Sequence, residues 1–377
     1  MKIMHYCQHV LGVGHYIRSM EIAAAFHSHQ VLFVEGGEPL PDFTPPDHIQ
    51  RMFLPPIMMD ANFSSIRSAA VDIEAAKTER RQLLAKAFRE FAPDVLMIEL
   101  FPFGRKFFQF ELVPLLKSIR VENLPVMLVC SLRDILVEKK DTASYEQGVL
   151  DILNTYFDLL LIHSDARIFS LDESFQRSPQ ITIPVEYTGF VTRHAPAADH
   201  RRQQRGLIVA SGGGSNVGRD LLAASIRAVQ RLDDATIRLH AFMGPFMDDA
   251  DRGFLSGLAE QDQRTRVQPF ATDFLSELTR ADLSISMAGY NTCMDILSAG
   301  VKALVYPFAQ NREQAFRAAK LEQLGVLEVL ESIEVDHLSG RIAAKLQQQE
   351  TPRPTQAILQ DGAATTLHLV EKYFSRL

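Results

Sequence analysis

Short apolar runs alternate with longer amphipathic segments along most of the chain. This alternation is typical of an open, mostly parallel β-sheet with helices on both faces, so it predicts the α/β fold class. In the first half, the pattern predicts strands at residues 2–7, 30–35, 94–100, 126–131 and 159–163. It predicts helices notably at 15–26, 66–91 and 146–156.

The alternation breaks near the middle of the chain and then restarts. Residues 192–205 contain four arginines but no sustained apolar periodicity, which is typical of a linker. Two series of strands and helices predict paired Rossmann-like domains that face a cleft, at residues 1–193 and 206–352. Segment 353–377 contains a last helix from about residue 355, which we expect to return to the N-terminal domain. Further strands are predicted at 207–210, 237–243, 266–268, 283–286, 303–306 and 326–330.

Composition narrows the functional classes. The chain has 377 residues, with 39 basic and 46 acidic side chains and a net charge of -7, which offers no general attraction to nucleic acid. Its three cysteines, Cys7, Cys130 and Cys293, lie in apolar runs and are predicted to be reduced core residues. Neither a signal peptide nor an apolar run of about 18 residues is visible, so we expect a cytoplasmic protein.

The first candidate motif follows the first predicted strand and opens a helix. It contains Gly12, Gly14, His15 and Arg18. Glycines let a ligand approach the backbone, and a helix N-terminus offers free N–H groups. His15 is the candidate general base, because an imidazole accepts a proton near neutral pH. The alternative is a tight turn in which His15 only begins the helix.

This motif differs from two common nucleotide-binding patterns. Its third glycine is replaced, and Glu35 with Gly36 and Gly37 is the only acidic feature near the end of the second strand. A nicotinamide dehydrogenase is therefore a poor fit. The chain also lacks the G-x-x-x-x-G-K-[ST] loop of P-loop kinases.

The second motif lies between the first strand and first helix of the second half. Its candidate ligand-binding residues are Gly213, Gly214, Ser215 and Asn216. Consecutive glycines can present several N–H groups to a diphosphate, and a serine hydroxyl can add a hydrogen bond. A merely flexible turn is the alternative.

The third motif is the most specific and lies around the strand predicted to end at Ser286. Gly289 is expected to permit a tight entry to a helix, and Asp295 is expected on the first or second turn of that helix, where a carboxylate can accept both hydroxyls of a ribose. An N-terminal dipole partner is the alternative for Asp295. The candidate substrate-binding residues of this motif are Ala288, Gly289, Asn291, Thr292 and Asp295.

A polar loop after the next strand extends the third motif. It begins at Pro307 and contains Gln310, Glu313 and Gln314. Carboxylate and amide groups bind sugar hydroxyls well, so this loop is a candidate donor-sugar site.

With these three motifs, the chain resembles GT-B glycosyltransferases. It is most similar to the family that transfers N-acetylglucosamine to the lipid-linked peptidoglycan precursor, and to related predicted bacterial glycosyltransferases. The resemblance implies that Asp295 binds the nucleotide ribose, that Ser215 contacts phosphate, and that Glu313 and Gln314 hold the donor sugar. It also implies that the segment with Phe270 and Ala271 lines the base pocket.

Departures from the family pattern leave alternatives open. The relatives usually carry glutamate at the position of Asp295 and paired glutamines at the positions of Glu313 and Gln314. The loop with Gly12, Gly14, His15 and Arg18 resembles more closely a UDP-sugar hydrolase of pseudaminic acid synthesis. Transfer to an acceptor and hydrolysis share a cleft and a base, so the motif does not separate them.

Other charged and aromatic residues are candidates for the acceptor side. Segment 101–110 has five phenylalanines beside Arg105 and Lys106, which fits an acceptor platform or a peripheral membrane contact at the inner face, although such aromatics are more often core. Glu99 and the dipeptide Arg133-Asp134 follow neighbouring strands, so we expect them at the same edge of the sheet.

The residues predict metal-independent chemistry without a cofactor. The acidic run 248–251 is typical of a solvated helix start rather than a diphosphate-bound metal site. We expect an inverting glycosyltransferase of the hexosyltransferase class that uses a UDP-sugar, first of all UDP-N-acetylglucosamine, and an unknown acceptor hydroxyl. A UDP-sugar hydrolase and a non-catalytic nucleotide-sugar-binding protein are the alternatives.

Overall fold

The structure is a computed structural model that describes residues 1–10, 13–40, 43–59, 66–68, 72–136, 141–193, 206–213, 218–245, 247–269, 273–308, 312–349, 354 and 357–376. The chain divides into two compact units. The first consists of Met1–Val191 and Leu359–Leu377, and the second of Thr192–Ile358.

In its described residues, the first unit is built on a seven-stranded parallel sheet in the order β3-β2-β1-β6-β7-β8-β9. A separate antiparallel pair is formed by β4 and β5. The strands are β1 Lys2–Cys7, β2 Gln30–Glu35, β3 Ile49–Phe53, β4 Ile57–Met59, β5 Ile66–Ser68, β6 Val95–Glu99, β7 Met127–Arg133, β8 Leu159–His163 and β9 Val185–Tyr187. The helices are α1 Gly14–Ala25, α2 Ile73–Phe91, α3 Gln109–Val121, α4 Thr142–Tyr156 and α11 Gly362–Phe374.

The central strands of the first unit are apolar on both faces because helices cover both sides of the sheet. Every residue of β6 and β8 is buried. The strand order reverses between β1 and β6, so the loops that follow these two strands diverge from one point at the carboxyl edge. In open parallel sheets, ligands bind at such a reversal.

The second unit repeats this architecture with a six-stranded parallel sheet in the order β12-β11-β10-β13-β14-β15, again counted over the described residues. The strands are β10 Leu207–Ser211, β11 Arg238–Phe242, β12 Thr265–Gln268, β13 Leu283–Ser286, β14 Lys302–Val305 and β15 Glu328–Val329. The helices are α5 Arg219–Gln230, α6 Asp249–Ala259, α7 Phe274–Arg280, α8 Tyr290–Ala299, α9 Arg312–Gln323 and α10 Val335–Gln347. The strand order reverses between β10 and β13.

Several local predictions are confirmed. The three cysteines are buried and free of disulfides. The acidic run at 248–251 is a helix start, because the Asp248 side chain caps α6 by accepting a hydrogen bond from the Asp251 N–H at 2.8 Å. The predicted α/β class, with two parallel sheets, is also confirmed.

The predicted helix at 66–91 begins too early. The α2 helix begins at Ile73, because the side chain of Asp72 accepts a hydrogen bond from the Glu74 N–H and its extended backbone interrupts any earlier helix. Residues 66–68 instead form β5. The pattern also missed β3, β4 and β9, which are short or partly exposed and lack a long apolar run.

The last helix is shorter than predicted. The α11 helix begins at Gly362 rather than near residue 355, because the residues directly before it bond to the segment after β9. The Phe190 N–H donates to Leu359 O at 2.8 Å, and the Gly362 N–H donates to Phe190 O at 2.9 Å. In the first unit, α11 packs against α1.

Among the described residues, no helix has both the length and the apolar character needed to cross a membrane.

Candidate active site

His15 and Glu99 form a hydrogen-bonded pair at the carboxyl edge of the first sheet. His15 is the second residue of α1, which follows β1, and Glu99 is the last residue of β6. Because β1 and β6 are parallel neighbours where the strand order reverses, both residues reach the same edge. The His15 Nδ1 and Glu99 Oε1 atoms are 2.5 Å apart.

This contact assigns the tautomer of His15. A carboxylate only accepts hydrogen bonds, so Nδ1 carries the proton and Nε2 keeps the lone pair that accepts a proton. The His15 side chain is 19% exposed, whereas the Glu99 side chain is fully buried. The pair therefore joins a partly accessible base to a buried group that orients it.

The surroundings keep His15 neutral and Glu99 ionised. Burial is the largest influence on the pKa of His15 and lowers it to about 3, against the raising effect of the Glu99 charge. For Glu99, burial alone would raise the pKa. The hydrogen bond from His15 and the positive charges of Arg105 and Arg18 outweigh that effect and hold the pKa of Glu99 well below its usual range. Neutral imidazole beside carboxylate is the protonation state that a general base requires.

Arg18 holds the Glu99 carboxylate from one helical turn beyond His15. Its Nη2 atom donates to Glu99 Oε1 at 2.6 Å, and its side chain is 1% exposed. The contacts that the structure gives Arg18 include this hydrogen bond to Glu99, and its predicted contact with substrate stays a prediction. Gly14 is the first residue of α1, while Gly12 lies outside the described residues.

The aromatic loop after β6 belongs to the core. Phe101, Phe103 and Phe108 are buried in the main apolar cluster of the first unit, and Phe107 and Phe110 pack against that cluster. The segment does not offer the exposed patch that a membrane contact through it would need. The core alternative is the one that the structure supports.

In the second unit, Asp295 lies in the second turn of α8, as predicted. Arg193 donates two hydrogen bonds to the Asp295 carboxylate, from Nε to Oδ1 at 3.1 Å and from Nη2 to Oδ2 at 2.5 Å. The Ser298 hydroxyl donates to Arg193 O at 2.7 Å and fixes the backbone of the arginine. Burial raises the pKa of Asp295, and Arg193 opposes that shift. A ribose that uses Asp295 therefore has to compete with Arg193.

The glycine loop after β10 is tightly closed at its ends. Gly213 has a φ of 76°, and its N–H donates to the Ser211 hydroxyl at 3.2 Å. A Cβ on Gly218 would lie 2.2 Å from Gly212 Cα, so the two ends approach too closely for any side chain. Gly214, Ser215 and Asn216 lie outside the described residues.

The segment between β13 and α8 is tied to α9. Arg317, which is 1% exposed, donates from Nη1 to Ala288 O at 3.1 Å. Gly289 has a φ of -65°, and a Cβ there would meet only Thr292 Oγ1, at 3.9 Å. Gly289 thus permits the entry to α8 in a backbone conformation that other residues also adopt. Asn291 and Thr292 lie in the first turn of α8.

The start of α9 carries the predicted donor-sugar residues. Glu313 is buried, and Gln314 uses its Oε1 atom to accept a hydrogen bond from the Phe308 N–H at 3.0 Å. Gln314 thus holds the polar loop that precedes α9. Gln310, Phe270 and Ala271 lie outside the described residues.

Sequence reasoning missed two residues that contact predicted site residues. Arg193 was assigned to the linker at 192–205, and Arg317 was one of several charges on an amphipathic helix. Both are single arginines far from their partners in sequence, so no local spacing could have identified them. Gly218 carried a weak signal, since it is a further glycine just beyond the glycine loop.

The comparisons with known proteins agree with this architecture. Residues 208–368 match the family model "Glycosyltransferase family 28 C-terminal domain". A curated relative from Chelativorans sp. (strain BNC1) is the UDP-N-acetylglucosamine–N-acetylmuramyl-(pentapeptide) pyrophosphoryl-undecaprenol N-acetylglucosamine transferase, 30% identical over 132 residues. The match spans 34% of this chain and only 35% of that relative.

Solved structures match over the whole chain. A UDP-glucosyltransferase from Polygonum tinctorium has a TM-score of 0.62 at 13% identity, covering 99% of this chain and 98% of its own. MurG of Acinetobacter baumannii has a TM-score of 0.55 at 17% identity, covering 100% of this chain and 99% of its own. These likenesses confirm the GT-B fold and the predicted resemblance.

Proposed function

We propose that this chain, whose residues 208–368 match the family 28 glycosyltransferase C-terminal domain model, is an inverting, metal-independent glycosyltransferase. It moves a sugar from a UDP-sugar, with UDP-N-acetylglucosamine as the first donor to test, to an acceptor hydroxyl. The His15–Glu99 pair is the observation that carries the proposal, because it supplies an oriented neutral base at the edge of a sheet where ligands bind.

The donor is assigned to the second unit. The glycine loop after β10 leads into α5, whose N-terminus favours the negative charge of a diphosphate. Asp295 accepts the ribose hydroxyls after Arg193 moves away from it. Glu313 and Gln314 lie at the start of α9, where they bind the sugar. These roles follow the family resemblance together with the burial and contacts of the residues.

The reaction needs one proton transfer and one displacement. The His15 Nε2 atom takes the proton of the acceptor hydroxyl while the hydroxyl oxygen attacks the anomeric carbon. The bond from that carbon to the phosphate oxygen breaks, and UDP leaves with the electron pair. Attack opposite to the leaving group inverts the anomeric configuration. Glu99 stabilises the imidazolium that forms, since its negative charge lies against Nδ1.

Hydrolysis of the UDP-sugar is the second candidate, because the same His15–Glu99 pair can deprotonate water. It predicts that UDP and free sugar form in equal amounts without an acceptor, at a rate that added acceptors do not raise. Transfer predicts a rate that depends on the acceptor and a product that carries the sugar.

The test measures UDP release from a panel of UDP- and dTDP-sugars by wild type and His15→Ala. We expect turnover to fall by about 100- to 10,000-fold in His15→Ala, which is the usual contribution of a general base. His27→Ala is the control, because it removes an exposed histidine of the same unit. Unchanged turnover in His15→Ala would remove His15 from catalysis.

A further inference from the structure

The Arg105 guanidinium lies beside Glu99 with two buried donor atoms unused. Arg105 lies six residues beyond the end of β6, and its side chain is 9% exposed. Among the described residues, no acceptor lies within hydrogen-bond distance of its Nε and Nη2 atoms. The Nη2 atom is 3.8 Å from Glu99 Oε2, which is too long for a hydrogen bond.

The two unused atoms are the pair with which an arginine holds an oxyanion. Nε and Nη2 lie on one edge of the guanidinium, so they can donate in parallel to two oxygens of a carboxylate or phosphate. Arg51, Arg167 and Arg193 use this same edge to bind Glu35, Asp165 and Asp295, respectively. In Arg105 the edge is buried and has no such partner in the described part of the chain.

His9 adds a buried acceptor to the same cluster. Its Nε2 atom is 2.8 Å from Glu38 O, and because a carbonyl only accepts, Nε2 carries the proton. Burial lowers the pKa of His9 to about 4, so the ring is neutral at pH 7 and Nδ1 holds a lone pair. This Nδ1 atom is buried, and no described residue donates to it.

The Arg105 guanidinium and the His15 imidazole both lie against the Glu99 carboxylate, at 3.8 Å and 2.5 Å, and His9 follows β1 at the same edge of the sheet. Burial lowers the pKa of His9 and of His15, and in both cases the positive charge of Arg105 lowers it further. Glu99 is already bound through Oε1 by His15 and Arg18. Among the described residues of this cluster, one carboxylate thus faces two guanidinium groups, which leaves an excess of positive charge. A buried cationic donor without an acceptor is costly, and a bound oxyanion would remove that cost.

We infer that Arg105 and His9 form an oxyanion subsite of the first unit, which takes a carboxylate or phosphate group of the acceptor near the hydroxyl that His15 deprotonates. Arg105 donates to the oxyanion, and His9 Nδ1 accepts a hydrogen bond from a neighbouring hydroxyl of the same molecule. Only the identification of this ligand as the acceptor rests on the proposed function.

The experiment measures anion binding directly by isothermal titration of the full chain with inorganic phosphate and with D-glucuronate. Saturating UDP is present, so that the donor-diphosphate site is occupied. D-glucose serves as the uncharged control. The variants are Arg105→Met, Arg105→Lys and Lys106→Met. The last removes an adjacent, exposed positive charge and tests general electrostatic attraction.

We expect phosphate or D-glucuronate to bind wild type and Lys106→Met equally within twofold. Binding should be at least tenfold weaker in Arg105→Met and partly restored in Arg105→Lys. The anion that binds identifies the acceptor class as phosphorylated or as a sugar acid. Equal binding by wild type and Arg105→Met, an equal loss in Lys106→Met, or no binding of either anion would overturn the subsite.

Kinetics separates this inference from the proposed function. With an anionic acceptor, Arg105→Met should raise KM at least tenfold, while His15→Ala mainly lowers kcat. Anion binding that depends on Arg105 in a chain without UDP-sugar turnover would contradict the proposed function and leave the subsite standing. UDP-sugar turnover together with anion binding that is insensitive to Arg105 would contradict the subsite and leave the proposed function standing.

Discussion

At the scale of single residues, Glu99 is predicted to matter nearly as much as His15. Glu99→Gln keeps the shape of the side chain but removes the charge that stabilises the His15 imidazolium, so kcat should fall by about 100- to 10,000-fold. The affinity for UDP, measured by calorimetry, should be unchanged, because the donor is assigned to the second unit.

A second histidine–glutamate pair provides the control for this substitution. His29 Nε2 and Glu371 Oε1 are 3.0 Å apart, and Glu371 is 46% exposed. Glu371→Gln should leave kcat within twofold of wild type. Equal losses in the two variants, or no loss in Glu99→Gln, would contradict the role of Glu99.

The pairing of Arg193 with Asp295 predicts a large effect on stability. Arg193→Met leaves the Asp295 carboxylate, whose side chain is 5% exposed, without this cation, which typically costs about 3 to 5 kcal/mol. The matched control is Arg341→Met, which removes one of the two cations that bind Glu328, from a more exposed pair worth about 1 kcal/mol or less. Urea unfolding followed by circular dichroism measures both. A loss in Arg193→Met no larger than the loss in Arg341→Met would refute this prediction.

The residues that sequence could identify are those next to a strand end. His15 and Asp295 follow buried strands, and parallel-sheet geometry brings such positions to one edge. Glu99 was expected at that edge as well, but its 2.5 Å contact with His15 depends on side-chain conformations that no spacing encodes. Arg105 was identified only as a cation beside the phenylalanines, and its position against Glu99, like that of Arg193 against Asp295, is recognisable only in three dimensions.

At the scale of elements, the loop after β2 determines where His9 lies. A Cβ on Gly37 would come within 2.5 Å of the His9 ring, so Gly37→Ala forces the imidazole or the loop to move. We expect a loss of about 1 to 3 kcal/mol in the free energy of unfolding, which is typical of overpacking.

Gly148 offers the matched control for this alanine substitution. It lies on the exposed surface of α4, where an added Cβ meets no atom within 4 Å. Gly148→Ala should raise the free energy of unfolding by about 0.5 to 1 kcal/mol, because alanine favours a helix interior. Destabilisation by both substitutions, or by neither, would contradict the close packing assigned to Gly37.

Long buried elements were predictable and short exposed ones were not. The strands β1, β2, β8 and β13 have the predicted bounds, since each is buried throughout or at every residue after its first. The start of α2 was misplaced, because its amphipathic pattern extends through residues that pair as β5. The strand β3 was missed, since it mixes exposed and buried positions at a sheet edge.

At the scale of the whole molecule, four histidines of the first unit, three buried and one partly exposed, predict acid sensitivity. Burial lowers the pKa of His5, His9, His15 and His163 below the usual 6.5. Protons therefore bind the unfolded chain more strongly. The contribution of the neutral histidines to the free energy of unfolding is therefore fully present above pH 6.5, and it is lost as the pH falls toward their folded-state pKa values. Each histidine contributes a loss of about 1 kcal/mol per pH unit in that window.

Urea unfolding at pH 7.5 and 5.5 tests this sensitivity. The transition that includes the first unit should move to a clearly lower urea concentration at pH 5.5. Burial raises the pKa of Glu35, so its protonation favours the folded state as the pH falls. This effect of one group is smaller than the combined loss from the four histidines. An unchanged or higher midpoint at pH 5.5 would contradict the neutral state assigned to the histidines.

The most direct test of the account is a crystal structure of the chain with bound UDP-N-acetylglucosamine. We predict that the ribose hydroxyls bind Asp295 with Arg193 displaced, that the diphosphate lies at the glycine loop around Gly213, and that His15 Nε2 faces the anomeric carbon across the space for an acceptor oxygen. A nucleotide bound elsewhere, or one bound with the Arg193–Asp295 pair intact, would contradict it.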